Sequence, residues 1–241
     1  MSSAYQSVFA RVEKKFLLNG SQAARILGEL KARGFQEITF GSPLIQSIYF
    51  DTPDNLLARR SIERPVYKEK LRLRAYGQPG AESVSYAEIK KKVDGIVYKR
   101  RTALPLEGAV QAIQSGRLPE DAGQIGREIG WFVRRYPGLR PAALIACERL
   151  PMEHLQEGLR LTFDRNIRCR LEGLDLTRPS AGLPLLSPGQ VLMEVKVPGA
   201  YPLWLARLLS EMGLHPSHFS KYGTAYTRLI APSQPAARAA S

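Results

Sequence analysis

Apolar and polar residues alternate one by one along much of this chain, and the polar positions are repeatedly cationic. In Lys70-Leu-Arg-Leu-Arg-Ala-Tyr76 a period of two puts Lys70, Arg72, Arg74 and Tyr76 on one face, with Leu71, Leu73 and Ala75 on the other. After Gly77-Gln-Pro-Gly80 and a polar loop, Tyr86-Ala-Glu-Ile-Lys-Lys-Lys92 sets Tyr86, Glu88, Lys90 and Lys92 opposite Ala87, Ile89 and Lys91. The same alternation predicts strands over 8–18, 45–51, 96–104, 142–150, 159–170 and 191–197. In the first of these Arg11, Glu13 and Lys15 share a face against Val12, Phe16 and Leu18. Arg160, Thr162 and Asp164 share one in 159–170, where a bulge that the pattern does not locate is expected farther along. Glu194 and Lys196 interrupt an otherwise apolar run, Val191–Val197.

Helical spacing is confined to fewer segments. Ala23, Ile26, Leu27 and Leu30 predict a helix capped by Ser21 and stopped at Gly34. Two helices are expected over 107–114 and 124–135, and an amphipathic one over 201–212, with Trp131 and Trp204 in the core. Residues 56–62 read as a connector of unassigned structure and 177–189 as a loop. Tyr49, Tyr76 and Tyr222 read as core aromatics with hydroxyls in water. Without a repeat or an interdomain linker, residues 1–230 read as one α+β domain and 231–241 as a frayed tail.

Charge sharpens this picture. Thirty-five Lys and Arg against 22 Asp and Glu give a net +13 over 241 residues, which calls for an anionic partner. Nucleic acid is not expected: the chain shows no aromatic-basic RNA-binding pattern and no helix-turn-helix signature. Cys147 and Cys169 have no CxxC spacing and read as strand or core thiols of a reducing compartment. His154, His215 and His218 fit no nucleophile or metal-ligand pattern. The absence of a leader-like start or an apolar run of about 18 residues points to the cytoplasm.

One cationic strand face alone would be a solvated surface. Six such strands are better explained by an eight-stranded antiparallel β-barrel tunnel with flanking helices, its charges lining the interior. The candidate cations are Arg11, Lys15, Lys70, Arg72, Arg74, Lys90, Lys92, Arg160 and Lys196, with Lys99, Arg101 and Arg149 beside them. Glu13, Glu88, Asp164 and Glu194 are the carboxylates, which can pair with cations or hold a divalent metal. So many buried like charges need an anion to complete them, and Arg suits phosphate oxygens bidentately.

The ordered set Arg11-x-Glu13-x-Lys15, Ser47-Ile-Tyr-Phe-Asp51, Lys70-x-Arg72-x-Arg74, Glu88-x-Lys90, Lys99-x-Arg101, Arg160-Leu-Thr-Phe-Asp164, Glu194-x-Lys196 and Ser220-Lys-Tyr222 resembles the VTC domain. That is the polyphosphate polymerase branch of the triphosphate tunnel metalloenzymes, the CYTH-like superfamily. The resemblance implies a tunnel that binds ATP and inorganic polyphosphate or triphosphate and moves the γ-phosphate of ATP to a growing chain. It implies Mn²⁺ or Mg²⁺ on Glu194 with Glu13, and phosphate contacts from Lys15, Arg72, Arg74, Lys90, Lys99, Arg149 and Arg160. Arg11, Lys70, Arg101, Lys196 and Ser220 complete the expected substrate-binding set. Lys221, at one tunnel mouth, joins Arg72 and Arg74 as the expected catalytic group. The membrane or phosphoinositide-binding segments of the eukaryotic members are not seen in this sequence, which leaves a separate membrane partner open. A triphosphatase using the same tunnel, or a polyphosphate-binding protein without turnover, is the alternative reading.

Overall fold

The alternating segments pair into one antiparallel sheet in the computed structural model, which describes residues 12–38, 41–63, 65–94, 96–197 and 199–233. Arg11 and residues 234–241 lie outside the described residues. In chain order the elements begin with β1 (Val12–Leu18), α1 (Gly20–Ala32), β2 (Gln36–Glu37), β3 (Leu44–Asp51), α2 (Leu56–Glu63), β4 (Tyr67–Tyr76), β5 (Val84–Val93) and β6 (Ile96–Pro105). They continue with α3 (Ala109–Ser115), α4 (Gly123–Arg135), β7 (Arg140–His154), β8 (Leu159–Arg170), β9 (Leu183–Pro184), β10 (Val191–Val197) and α5 (Leu203–Glu211). The described chain ends in α6 (Lys221–Ala225), a π-helical turn over Tyr226–Ile230, and α7 (Ala231–Ser233). Residues 231–233 are therefore helical, not part of a frayed tail.

The strands run β1-β10-β8-β7-β3-β4-β5-β6, with β2 and β9 as short additions to β7 and β8. The expected barrel is not closed by hydrogen bonds: among the described residues no ladder joins β1 to β6, so the path has two free edges. The sheet curls far enough for Lys90 on β5 to reach Glu13 on β1 at 3.2 Å. Side chains, rather than backbone, connect its two ends.

The apolar strand faces look outward, under helices, because each buried aliphatic side chain contributes about 1.5–3 kcal/mol only when something covers it. Leu71, Leu73, Ala87 and Ile89 pack beneath α3 and α4 against Ile113, Ile129 and Phe132. Phe16, Leu161, Phe163, Met193 and Val195 pack beneath α1 and α5. A third apolar group lies on the inward side instead: Ile45, Tyr49, Ile145, Cys147, Ile167, Cys169, Leu192 and Tyr222 pack together at one end of the interior, capped by the α6 segment. Both cysteines are buried free thiols.

The bulge in β8 falls at Asn166, whose φ of 50° is left-handed and whose amide donates to Glu148 at 3.0 Å. Between Arg165, opposite Glu148, and Arg168, opposite Ala146, β8 holds one residue more than β7. The extra residue switches parity: Thr162 and Asp164 face inward before it, and Ile167 and Cys169 after it.

Local chemistry overrides three further expectations. Asn19, not Ser21, caps α1; its side chain accepts from Gln22 N–H at 2.8 Å, and Gln22 returns the bond at 2.9 Å. The connector at 56–62 is the helix α2, because Asp51 accepts the N–H groups of Leu57 and Ala58 and so starts it. Trp131 is 68% exposed, with the Arg134 guanidinium 4.5 Å from its ring centroid. Trp204 does pack against the α1–α5 core.

Candidate functional site

The inward strand faces enclose a cavity of about 500 Å³. Every expected substrate, catalytic and metal residue among the described residues lines it: Glu13, Lys15, Lys70, Arg72, Arg74, Lys90, Lys99, Arg101, Arg149, Arg160, Glu194, Lys196, Ser220 and Lys221. Lys92 does not; it is exposed near the end of β5. Arg149 rather than Glu148 turns inward, Glu148 being exposed. Among the described residues, twelve Lys and Arg line the cavity against three Glu.

Strand register sorts these charges into two clusters. On the β4-β5-β6 side, Glu88 lies opposite both Arg72 and Arg101. Its carboxylate, 1% exposed, takes Arg72 at 2.6 Å, Lys99 at 2.7 Å and Arg74 at 3.8 Å. Arg72 also donates to the Tyr49 hydroxyl at 3.1 Å, and Arg74 to Ser47 at 3.2 Å. The Arg101 guanidinium lies over the Tyr86 ring.

On the other side, Glu194 faces Lys15 across the β1–β10 ladder. Four cations surround it: Lys196 at 3.3 Å, Lys221 at 3.5 Å, and Lys15 and Arg149 at 3.8 Å. Behind it, fully buried Asp164 holds Arg149 by two bonds of 2.6 and 2.7 Å and also bonds Lys221. Lys221 is thus an interior group between two carboxylates rather than a residue of the tunnel mouth. Glu13 pairs with Lys90 and with Lys15.

Lys70 differs from the other lysines. Among the described residues it has no carboxylate within ion-pair distance, and its ammonium donates to Ser220 Oγ at 2.9 Å. Burial, then the charges of Lys15, Lys90, Lys68 and Arg72, hold its pKa well below the usual lysine range. Burial also pulls Lys99 down; Glu88 opposes this, Arg72 and Arg74 add to it, and the result is about 7. Burial alone would raise Glu13, but Lys90 with Lys15 and Lys196 outweighs it and brings the group down to about 2. Glu88 and Glu194 are likewise held well below the usual range by their cations, against burial.

No group of three His, Cys, Asp or Glu side chains suited to a metal occurs among the described residues. Glu13 and Glu194 nevertheless converge, each with an oxygen 3.8 Å from the Lys15 ammonium. The buried hydroxyl of Thr162, opposite Glu194 in register, has no hydrogen-bond partner. Two carboxylates beside a spare oxygen donor fit an ion of the Mg²⁺ type, whose coordination is completed by water and phosphate oxygens.

Sequence reasoning treated Tyr49, Tyr222 and Cys147 as core, yet they line the cavity as well. For Tyr49 the signal was present, since it shares a strand face with Ser47 in Ser47-Ile-Tyr49. Tyr222 has a buried hydroxyl that donates to Asp51 at 2.7 Å, so it is not in water.

The VTC domain family matches residues 10–230. No curated protein matches the chain. Among solved structures, a candidate adenylate cyclase of Bacillus halodurans is 17% identical, covers 86% of this chain and 89% of its own, and has a TM-score of 0.51. A candidate adenylate cyclase of Vibrio parahaemolyticus is 14% identical over 88% and 95%, with a TM-score of 0.44.

Proposed function

The chain belongs to the VTC domain family, within the CYTH-like triphosphate tunnel superfamily, and on that premise we propose that it is an ATP-dependent polyphosphate polymerase. The observation that carries this reading is the charge balance of the cavity, with twelve cations and three glutamates around about 500 Å³. A run of phosphates supplies the missing negative charge, and cations on several walls can grip successive groups along it.

Phosphoryl transfer asks little covalent chemistry of a protein; it needs positioning and neutralisation of charge on the transferred group. Arg72 and Arg74 approach from β4, Lys90 and Lys99 from β5 and β6, and Lys221 from α6. Glu194 and Glu13 would hold Mn²⁺ or Mg²⁺, which supplies Lewis-acid neutralisation of phosphate oxygens. The polymer terminus is already anionic, so transfer to it needs no general base. Water in its place would give a triphosphatase, and the adenylate cyclase designation of the structural neighbours would correspond to an internal hydroxyl acceptor.

The test is the full chain with ATP and Mn²⁺, its products resolved on a gel stained for polyphosphate and assayed for free phosphate. ADP with a polymer ladder is the expected result. Free phosphate without polymer moves the reading to a triphosphatase, and triphosphate binding without turnover to a polyphosphate-binding protein.

Two predictions belong here. Arg72→Ala should weaken triphosphate binding by about 1.5–3 kcal/mol, the worth of a hydrogen bond to a charged group, and calorimetry showing wild-type affinity would place Arg72 outside the site. Burial brings the Lys99 pKa down to about 7, so its amine takes up a proton and becomes charged as pH falls through that value. Tripolyphosphate affinity should therefore rise on going from pH 8.5 to 6, with proton uptake. Lys99→Arg, charged throughout, should flatten this component while the ligand's own titration remains.

A further inference from the structure

Asp51, at the end of β3, is a buried carboxylate that lies outside both ion clusters. It is 0% exposed. One oxygen accepts the N–H groups of Thr52 and Leu57, both at 2.8 Å. The other accepts Ala58 N–H at 2.9 Å and the Tyr222 hydroxyl at 2.7 Å. Among the described residues no lysine or arginine pairs with it; its charge is met by backbone donors, the Thr52 hydroxyl at 3.3 Å and one phenol. The Tyr222 ring lies stacked on Tyr49, with centroids 4.7 Å apart and planes 8° from parallel.

The segment held this way is weak by itself. α6 continues without a break through the π-helical turn and α7 to Ser233, thirteen residues in all, a length at which a helix is marginal without tertiary anchors. Its first residue is Lys221, whose backbone lies between two fixed points: Ser220, bonded by Lys70, and Tyr222, bonded by Asp51. The turn is fitted closely, since a Cβ on Gly223 would lie 3.3 Å from both Cβ and Oγ of Ser220. A phenylalanine at 222 would fill the same stack, so the hydroxyl adds one thing, an anchor to β3.

We infer that Asp51 and Tyr222 form a latch that positions Lys221 in the cavity, between Asp164 and Glu194, for contact with a polyphosphate. They are positioning residues, touching neither substrate nor metal through these groups. This rests on the phosphate-binding reading of the cavity, and it extends the functional set to a carboxylate at the far end of β3.

The experiment is a double-mutant cycle on tripolyphosphate binding, read by calorimetry on the full chain. Tyr222→Phe is expected to weaken binding about tenfold, the scale of one lost hydrogen bond to a charged group. Lys221→Met should weaken it further. The double variant should match Lys221→Met alone, because the latch acts only through that lysine. Asp51→Asn should repeat the pattern; should it fail to fold, Tyr222→Phe, which keeps the stacked ring, carries the test. Additive losses, or unchanged binding in Tyr222→Phe, overturn the latch. Failure of the wild-type chain to bind tripolyphosphate overturns the reading of the cavity and the latch with it, so the two failures are distinguishable.

Discussion

Asp164→Asn is expected to remove about 3–5 kcal/mol of folding stability, the cost of leaving buried charges without their partner. Asp164 is fully buried, and its two oxygens hold Arg149 and Lys221 together. Asparagine keeps the shape and one acceptor but cancels the charge, so two cations are left facing Lys15 and Lys196 around Glu194 alone. Urea denaturation at pH 7 should show a lower midpoint with an unchanged slope. Burial would raise the Asp164 pKa, but Arg149 and Lys221 bring it from 3.8 to about 2. A depressed carboxylate contributes stability above its unfolded value and loses it as pH falls towards the folded one. The wild-type chain should therefore lose this component between about pH 4 and 2, and the variant should lack it. A midpoint shift worth less than about 1 kcal/mol would show that the pair does not hold the fold.

Glu194→Gln should separate binding from chemistry. Four cations lie within 3.8 Å of this carboxylate, so neutralising it makes the cavity more attractive to a polyanion. Tripolyphosphate binding in the presence of a chelator should hold or tighten. Turnover with ATP and Mn²⁺ should fall at least about 100-fold, because a group that holds the neutralising ion is gone. Unchanged turnover would remove Glu194 from the metal site. Weaker binding in the presence of the chelator would mean that Glu194 serves mainly to keep its four cations in place.

Both experiments concern residues whose inward direction is legible in the sequence. Period-two alternation is a local property, and β8 and β10 start and stop where the pattern says. It also assigns Lys70, Arg72 and Arg74 to one face, because Leu71, Leu73 and Ala75 have to be covered. Closure is not local. Whether the last strand reaches the first depends on accumulated curl over eight strands, and here β1 and β6 stay unpaired. The bulge at Asn166 has a partial signal, since asparagine tolerates a left-handed backbone, but nothing nearby distinguishes it from other polar residues. The role of Asp51 is invisible for another reason. Its partners are three N–H groups, the neighbouring Thr52 hydroxyl and a tyrosine 171 positions away, and the chain does not encode them as a pattern. Trp131 was misplaced because helical spacing with aliphatic residues does not say which side of a helix meets the sheet.

The open path of the sheet bears on self-association as well as on the cavity. An unpaired strand edge is a template on which another chain can build, and among the described residues the sheet path ends in two, β1 and β6. The β6 edge carries Lys99-Arg100-Arg101 in succession; Lys99 is held by Glu88 and Arg100 by Glu128, and long charged side chains of this kind discourage a second copy from adding a strand there.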